Sequence, residues 1–161
     1  MNTHIRFACT LLFFVSLLCG CTSYSVDHVN GIESLSSLES IYIKEIIIHS
    51  EDRGNLEQSL VQNSCFSLRK HNYRTASFLQ SGSSDVDYRH NARIHLHTVT
   101  FGDVLNPETS TSLFFEIFSG DNPAPVAVIR ITSNSCNIHD VRDQLELTQL
   151  MVTRLDRMAG R

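Results

Sequence analysis

A strand pattern that runs into a helix pattern and back into a strand constrains this chain most. Ile41 to Ile48 (IYIKEIII) is rich in β-branched residues and bounded by Ser40 and Ser50, the composition of a sheet strand. Strict alternation puts Ile41, Ile43, Glu45 and Ile47 on one face and Tyr42, Lys44, Ile46 and Ile48 on the other. Over residues 51–70, Leu56, Leu60, Val61, Cys65 and Leu68 recur near helical spacing. Glu51 and Asp52 stand in front, and Arg69, Lys70 and His71 fall at the far end, each sign where the helix dipole favours it. Asn72 can end the helix, and Tyr73 to Leu79 reads as a second strand. A strand–helix–strand unit of this length predicts parallel strands and a right-handed crossover.

The rest of the pattern is mostly strand. Ala92 to Phe101 alternates, with Ala92, Ile94 and Leu96 on one face and His95, His97, Val99 and Phe101 on the other. Gln80 to Asp87 and Gly102 to Thr111 read as loops. Ser112 to Phe118 and Val126 to Thr132 are two further strands joined by a Gly/Pro-containing hairpin loop. Ser135 to Asp140 offers several N-caps to a final helix, whose stripe is Val141, Leu145, Thr148, Val152 and Leu155, widened by Leu147, Met151 and Met158. The expected fold class is α+β: a mixed sheet of four to five strands with two helices packed on one face, in the order β-α-β-β-β-β-α.

The N-terminus gives an address. Arg6 precedes an apolar stretch, Leu11 to Leu18, followed by Cys19, Gly20 and Cys21. A cationic start, a short apolar run and small residues before a cut make a secretory signal, and the run is too short and too interrupted to span a bilayer. Leu18-Cys19-Gly20-Cys21 resembles the bacterial lipobox. That resemblance implies a signal peptide over residues 1–20, cleavage before Cys21, and lipidation of that cysteine, the only covalent group expected. Two or three acyl chains anchor a protein stably where one does not. Thr22 and Ser23, with no aspartate following the cysteine directly, resemble the outer-membrane sorting pattern, with the domain facing the periplasm. Residues 21–39, serine-rich and without a sustained period, read as lipidated cysteine and tether, and residues 40–161 as a single domain.

Charge excludes some partners. Removing residues 1–20 takes only Arg6 from the 13 basic residues, leaving 12 against 17 acidic ones. A mildly acidic chain with no Lys/Arg cluster is a poor nucleic-acid binder, so none is expected as a partner. Two cysteines remain in the expected domain, Cys65 and Cys136. In an oxidising compartment they favour a disulfide closing a loop of roughly 70 residues, a constraint of roughly 4 kcal/mol. Two buried free thiols are the competing reading.

The lipobox, the short tether and the element order together resemble a group of small envelope lipoproteins. The group includes the lipopolysaccharide-translocon lipoprotein LptE, the N-terminal domain of TolB and, more distantly, CsgG and penicillin-binding-protein activator lipoproteins. The segments that carry the resemblance are SLESIYIKEIIIHS, the helix ending LRKHNYR, and DYRHNARIHLHTVTF. Asn72-Tyr73 and Asp87-Tyr88 stand where the group has a Gly-Tyr-like turn and a strand start. The resemblance implies an accessory subunit of an envelope assembly or transport complex, held to the membrane by its lipid and partnered by another envelope protein. It transfers no functional residue.

Catalytic chemistry finds little footing. There is no Gly-x-Ser-x-Gly elbow and no phosphate-cradling glycine pattern, so no enzyme and no catalytic residue are expected. His95 and His97, two apart on one strand face, could ligate zinc or copper, with His90 as a third. A metal-binding or small-ligand lipoprotein is therefore the alternative function, and two ordinary solvent-facing histidines are its competitor. Phe115 and Ile117 are the candidate docking residues, provided their sheet face is open.

Overall fold

Alternation fails at one residue, Lys44, and that failure decides which side chains form the core. The computed structural model describes residues 35–49, 55–80, 88–103, 109–134 and 136–161, together with the backbone of 22–29 and 107–108. Its elements are β1 (Thr22–Val29), β2 (Ser40–His49), α1 (Leu56–Lys70), β3 (Arg74–Ser77), β4 (His90–Gly102), β5 (Pro107–Ser119), β6 (Ala127–Ser133) and α2 (Val141–Ala159). They form a mixed sheet in the order β1-β6-β5-β4-β2-β3. From Ser40 onward the order is the expected β-α-β-β-β-β-α, with both helices on one face. β2 runs parallel to β3, as the strand–helix–strand pattern predicts, and also to β4.

Between Ile43 and Glu45 the β2–β4 register shifts, so Ile43 pairs with Ala92 while Glu45 pairs with Arg93. Lys44 is the extra residue of a β-bulge, and its exposed side chain leaves the ladder unburdened. The bulge inverts the strand's parity. Ile41, Ile43 and Ile48 are buried and Ile46 packs against the core, whereas Glu45, Ile47 and His49 turn to the opposite face. The two-face assignment from strict alternation is therefore right for Ile41 to Ile43 and wrong beyond the bulge.

Two further corrections concern the sheet's margins. The expected tether over residues 21–39 does not hold as such. Thr22–Val29 pairs antiparallel with β6, and Leu35 and Leu38 are fully buried. Tyr24 and Val26 between polar neighbours already carry a short period-2 signal, and without β1 the β6 edge would present unpaired backbone groups. At the other margin the expected loop Gly102 to Thr111 is mostly ladder, since β4 and β5 stay in register out to Gly102 opposite Pro107.

The core fills the space between the sheet's inner face and the two helices. Ala92, Ile94 and Leu96 from β4, Leu113, Phe115 and Ile117 from β5, and Ile129 and Ile131 from β6 meet Leu60, Val61 and Leu68 of α1 and Leu147, Met151 and Leu155 of α2. The inner stripe of α2 is rotated from the expected one. Val141 is exposed, and Gln144 is buried in its place.

Polar pairs stitch the helices together. Asn63 Nδ2 donates to Gln144 Oε1 at 3.0 Å, and Gln144 Nε2 donates to the Ile138 carbonyl at 2.6 Å. Thr148 donates to the Leu145 carbonyl, so Ser67, 3.0 Å away, is the donor to Thr148 Oγ1. Asp140 caps α2 by accepting from Arg142 N at 2.8 Å. Asn72, at φ 65°, ends α1 with paired bonds from Tyr73 N to Leu68 O and from Asn72 N to Arg69 O. That is the left-handed termination its position predicts.

Cys65 and Cys136 are buried free thiols, so the expected disulfide is not formed. Thr75 of β3 donates to Cys65 Sγ, while the Cys136 carbonyl accepts from Thr111 of β5. β3 and β5 are three strand spacings apart, on the order of 14 Å. A disulfide needs Cα atoms within about 7 Å. Gln144→Ala leaves the Ile138 carbonyl and the Asn63 amide without this partner, and should cost about 2–3 kcal/mol in a chemical denaturation experiment. An unchanged midpoint would show that the inter-helix seam contributes nothing.

Candidate functional site on the open sheet face

The side of the sheet away from the helices is built in cross-strand rows. One row holds Glu45, Arg93 and Glu116; the next holds Ile47, His95, Phe114 and Arg130; the third holds His49, His97, Ser112 and Thr132. All are half-buried or exposed. Each row follows from register alone, because paired residues share a face and parity is kept along β4 and β5.

Charged groups link the rows. Arg93 Nε donates to Glu45 Oε2 at 2.9 Å, and its other end lies 3.7 Å from Glu116 Oε2. The same Glu116 oxygen is 3.2 Å from His95 Nε2. Arg93 lies over the Phe118 ring at 5.3 Å and Arg130 over Phe114 at the same distance. The guanidinium groups thus cover aromatic faces that would otherwise meet water.

The three histidines gather at the end of this face. His49 and His97 stack with ring centroids 4.2 Å apart, and His95 and His97 lie 6.4 Å apart in nearly parallel planes. One nitrogen from each ring falls within 4.8 Å of the other two. His95 and His97 are thus together as the sequence predicts, but the third member is His49. His90 cannot join them. It is 4 % exposed and lies on the opposite parity, with the core residues Ala92 and Ile94. His49 and Glu116 were not singled out from the sequence. Plain alternation sends His49 to the face of Ile41 and Ile43, and only the Lys44 bulge reverses that.

The candidate docking residues need a larger correction. Phe115 and Ile117 are fully buried and belong to the core. The apolar side chains on the outer face include Ile47, Phe114 and Phe118, the last two sharing a face with Glu116 and lying beneath Arg130 and Arg93, and beyond them Val99 and Phe101. Val99 is 59 % exposed and Phe101 45 %. They sit on a two-stranded arm. From Val99 opposite Ser110 to Gly102 opposite Pro107, β4 and β5 pair only with each other among the described residues. Cys21, the expected lipidation site, lies outside the described residues, immediately before β1.

A second polar cluster ties the helix ends together. Asp156 Oδ1 accepts from Tyr73 at 2.8 Å, His71 Nδ1 lies 2.5 Å from Asp156 Oδ2, and Arg161 covers the Tyr73 ring at 4.7 Å. Burial and the neighbouring Asp156 raise the Tyr73 pKa, so the phenol stays protonated as a donor. An open cleft of about 670 Å³ beside it is lined by residues of both signs, Lys70, Arg74 and Arg161 with Glu39 and Asp156.

The thiols are poor nucleophiles: burial, with nearby acidic groups, pushes Cys136 up to about 12, and burial also raises Cys65.

No family model matches the chain, and no curated protein matches it in sequence. Solved structures do match. The PelC dodecamer from Paraburkholderia phytofirmans is 12 % identical, with a TM-score of 0.59 over 84 % of this chain and 97 % of that one. A single-site variant of that dodecamer gives a TM-score of 0.56 at the same identity, over 84 % of this chain and 95 % of that one. Lipoprotein GNA1162 from Neisseria meningitidis is 12 % identical, with a TM-score of 0.47 over 73 % of this chain and 98 % of that one. The likeness to PelC is one of fold.

Burial first, then His49, His95 and Arg130, hold His97 below the ordinary imidazole value of 6.5. Burial and Arg89 do the same to His90. Such a group binds fewer protons folded than unfolded, so its contribution to stability is complete above 6.5 and falls as pH drops towards the folded value. Thermal denaturation should therefore show Tm decreasing from about pH 7.5 to about pH 5.5. His97→Gln should flatten part of that decrease, with His90 supplying the remainder. An identical slope in wild type and variant would show that His97 is not coupled to folding.

Proposed function

We propose that this chain is a lipid-anchored accessory subunit of a bacterial envelope assembly, acting by docking on other protein chains rather than by catalysis. The observation that carries this reading is the arm formed by Val99–Gly102 and Pro107–Ser110. A two-stranded ladder is marginal in water without a third strand or a covering layer, yet this one carries Val99 and Phe101 into solvent. The pair continues the open face on which Phe114 and Phe118 lie, where polar rows alternate with aromatic ones: Arg93–Glu116 stands between Phe118 and Phe114, and His97–Ser112 between Phe114 and Val99.

Further observations support the reading. The lipobox resemblance at Leu18–Cys21 supports a lipid anchor, and the Thr22-Ser23 resemblance to the sorting pattern supports the outer membrane with a periplasmic domain. Among the described residues no helix is long and apolar enough to cross a membrane. The fold is shared with PelC, which assembles as a dodecamer, so further copies of this chain are the first partners to test. The buried, poorly ionised thiols fit a role without nucleophilic chemistry.

In-cell crosslinking followed by mass spectrometry of detergent-solubilised envelope tests the proposal. Wild type should fractionate with the outer membrane and yield crosslinked species, whether of its own copies or of one dominant envelope protein. Cys21→Ala should leave the membrane fraction. A Val99→Ser/Phe101→Ser double variant should stay folded and anchored but lose the crosslinked species. Monomer alone in wild type, or unchanged crosslinks in the arm variant, would contradict the docking role.

A further inference from the structure

The geometry points to a binding site for a divalent transition-metal ion, of the zinc or copper class, formed by His49 of β2 with His95 and His97 of β4. Three facts carry the assignment. The donors are brought together by sheet register rather than by mobile loops: His95 and His97 are two apart on one strand, and His49 is the direct partner of His97 on the neighbouring parallel strand. Their ring nitrogens already lie within 4.8 Å of one another. Tetrahedral zinc with nitrogen ligands at about 2.0–2.1 Å needs donors about 3.4 Å apart. Ligation requires the stacked rings to turn out of their near-parallel planes so that the in-plane nitrogen lone pairs converge on one point, a side-chain rotation that leaves the strand register as it is.

The third fact is Glu116. Its carboxylate lies 3.2 Å from His95 Nε2 and is itself met by Arg93. A carboxylate behind a ligating imidazole fixes the ring's orientation and raises its basicity. With Nε2 engaged by Glu116, Nδ1 is the His95 nitrogen left with a lone pair for an ion.

Donor chemistry selects the metal. Three neutral imidazoles suit zinc, copper or nickel, whereas calcium and magnesium require oxygen ligands. Among the described residues, the charged groups in the rows of that face are Arg130 on β6, Arg93 on β4, Glu116 on β5 and Glu45 on β2. Two of them are positive and two negative. Three protein ligands leave a fourth position. His49 is exposed, so that position opens to water, or to a ligand from a docked chain.

Calorimetric titration of the full chain in detergent, stripped of metal, tests the site with zinc alone and then copper alone. Saturation at one equivalent per chain is expected, with a rise in Tm that calcium and magnesium do not produce. His49→Ala and His97→Ala should each weaken binding at least about 10-fold, and Glu116→Gln by about 10–100-fold, as for other outer-shell carboxylates. His139→Ala, an exposed histidine on a different element, should change nothing. Copper electron paramagnetic resonance should show hyperfine coupling to three nitrogens in wild type and to fewer in His49→Ala. Failure to saturate, or equal affinity in a His49→Ala/His97→Ala double variant, would overturn the site. Neither result bears on the crosslinking outcome, because the arm residues take no part in ligation.

Discussion

The inverted parity of β2 at Lys44 is the constraint on which both faces of this sheet depend. Without the extra residue, a strand that buries Ile41 and Ile43 would also bury Glu45 and His49 and would turn Ile46 and Ile48 towards water. A buried, unpaired carboxylate costs several kcal/mol, far more than a local bulge. With the bulge, four isoleucines face the helices, Glu45 meets Arg93, and His49 arrives beside His97. One inserted residue thus completes the core on one side and assembles the polar cluster on the other.

The opposite face follows from that arrangement. The helices cover the inner side, and their own contact is fixed by Gln144 and Thr148 rather than by packing alone. The outer side keeps its rows of charge, aromatic and imidazole, and the β4–β5 arm prolongs it past the edge of the other strands. β1 adds a consequence for the proposed anchor. The strand begins one residue after Cys21, so a lipid on that cysteine would hold the sheet margin close to the head groups instead of at the end of a long tether.

Much of this architecture was legible in the sequence because the relevant signals are local. The helical spacing of Leu56, Leu60, Val61, Cys65 and Leu68, the left-handed stop at Asn72 and the alternation of β4 each report on their own neighbourhood. The misreadings all concern tertiary choices. A bulge changes parity without changing composition. β5 is apolar on both sides, and only Glu116 marks Phe114 and Phe118 as the outward set, leaving Phe115 and Ile117 to the core. Two cysteines suggest a bridge until the sheet order separates β3 from β5. β1 was hidden because a short polar strand on a sheet edge looks like linker. Of the histidine cluster, the i, i+2 pair was legible, and the cross-strand partner was not.

The central claim is that the Lys44 bulge sets His49 against His97 on the open face. Nuclear Overhauser effects from the His49 ring protons measure this most directly. The account predicts strong effects between the His49 and His97 rings, whose centroids are 4.2 Å apart. Effects from His49 to core methyls such as those of Leu96 or Leu113, with none to His97, would mean that β2 keeps plain alternation, and would contradict the account.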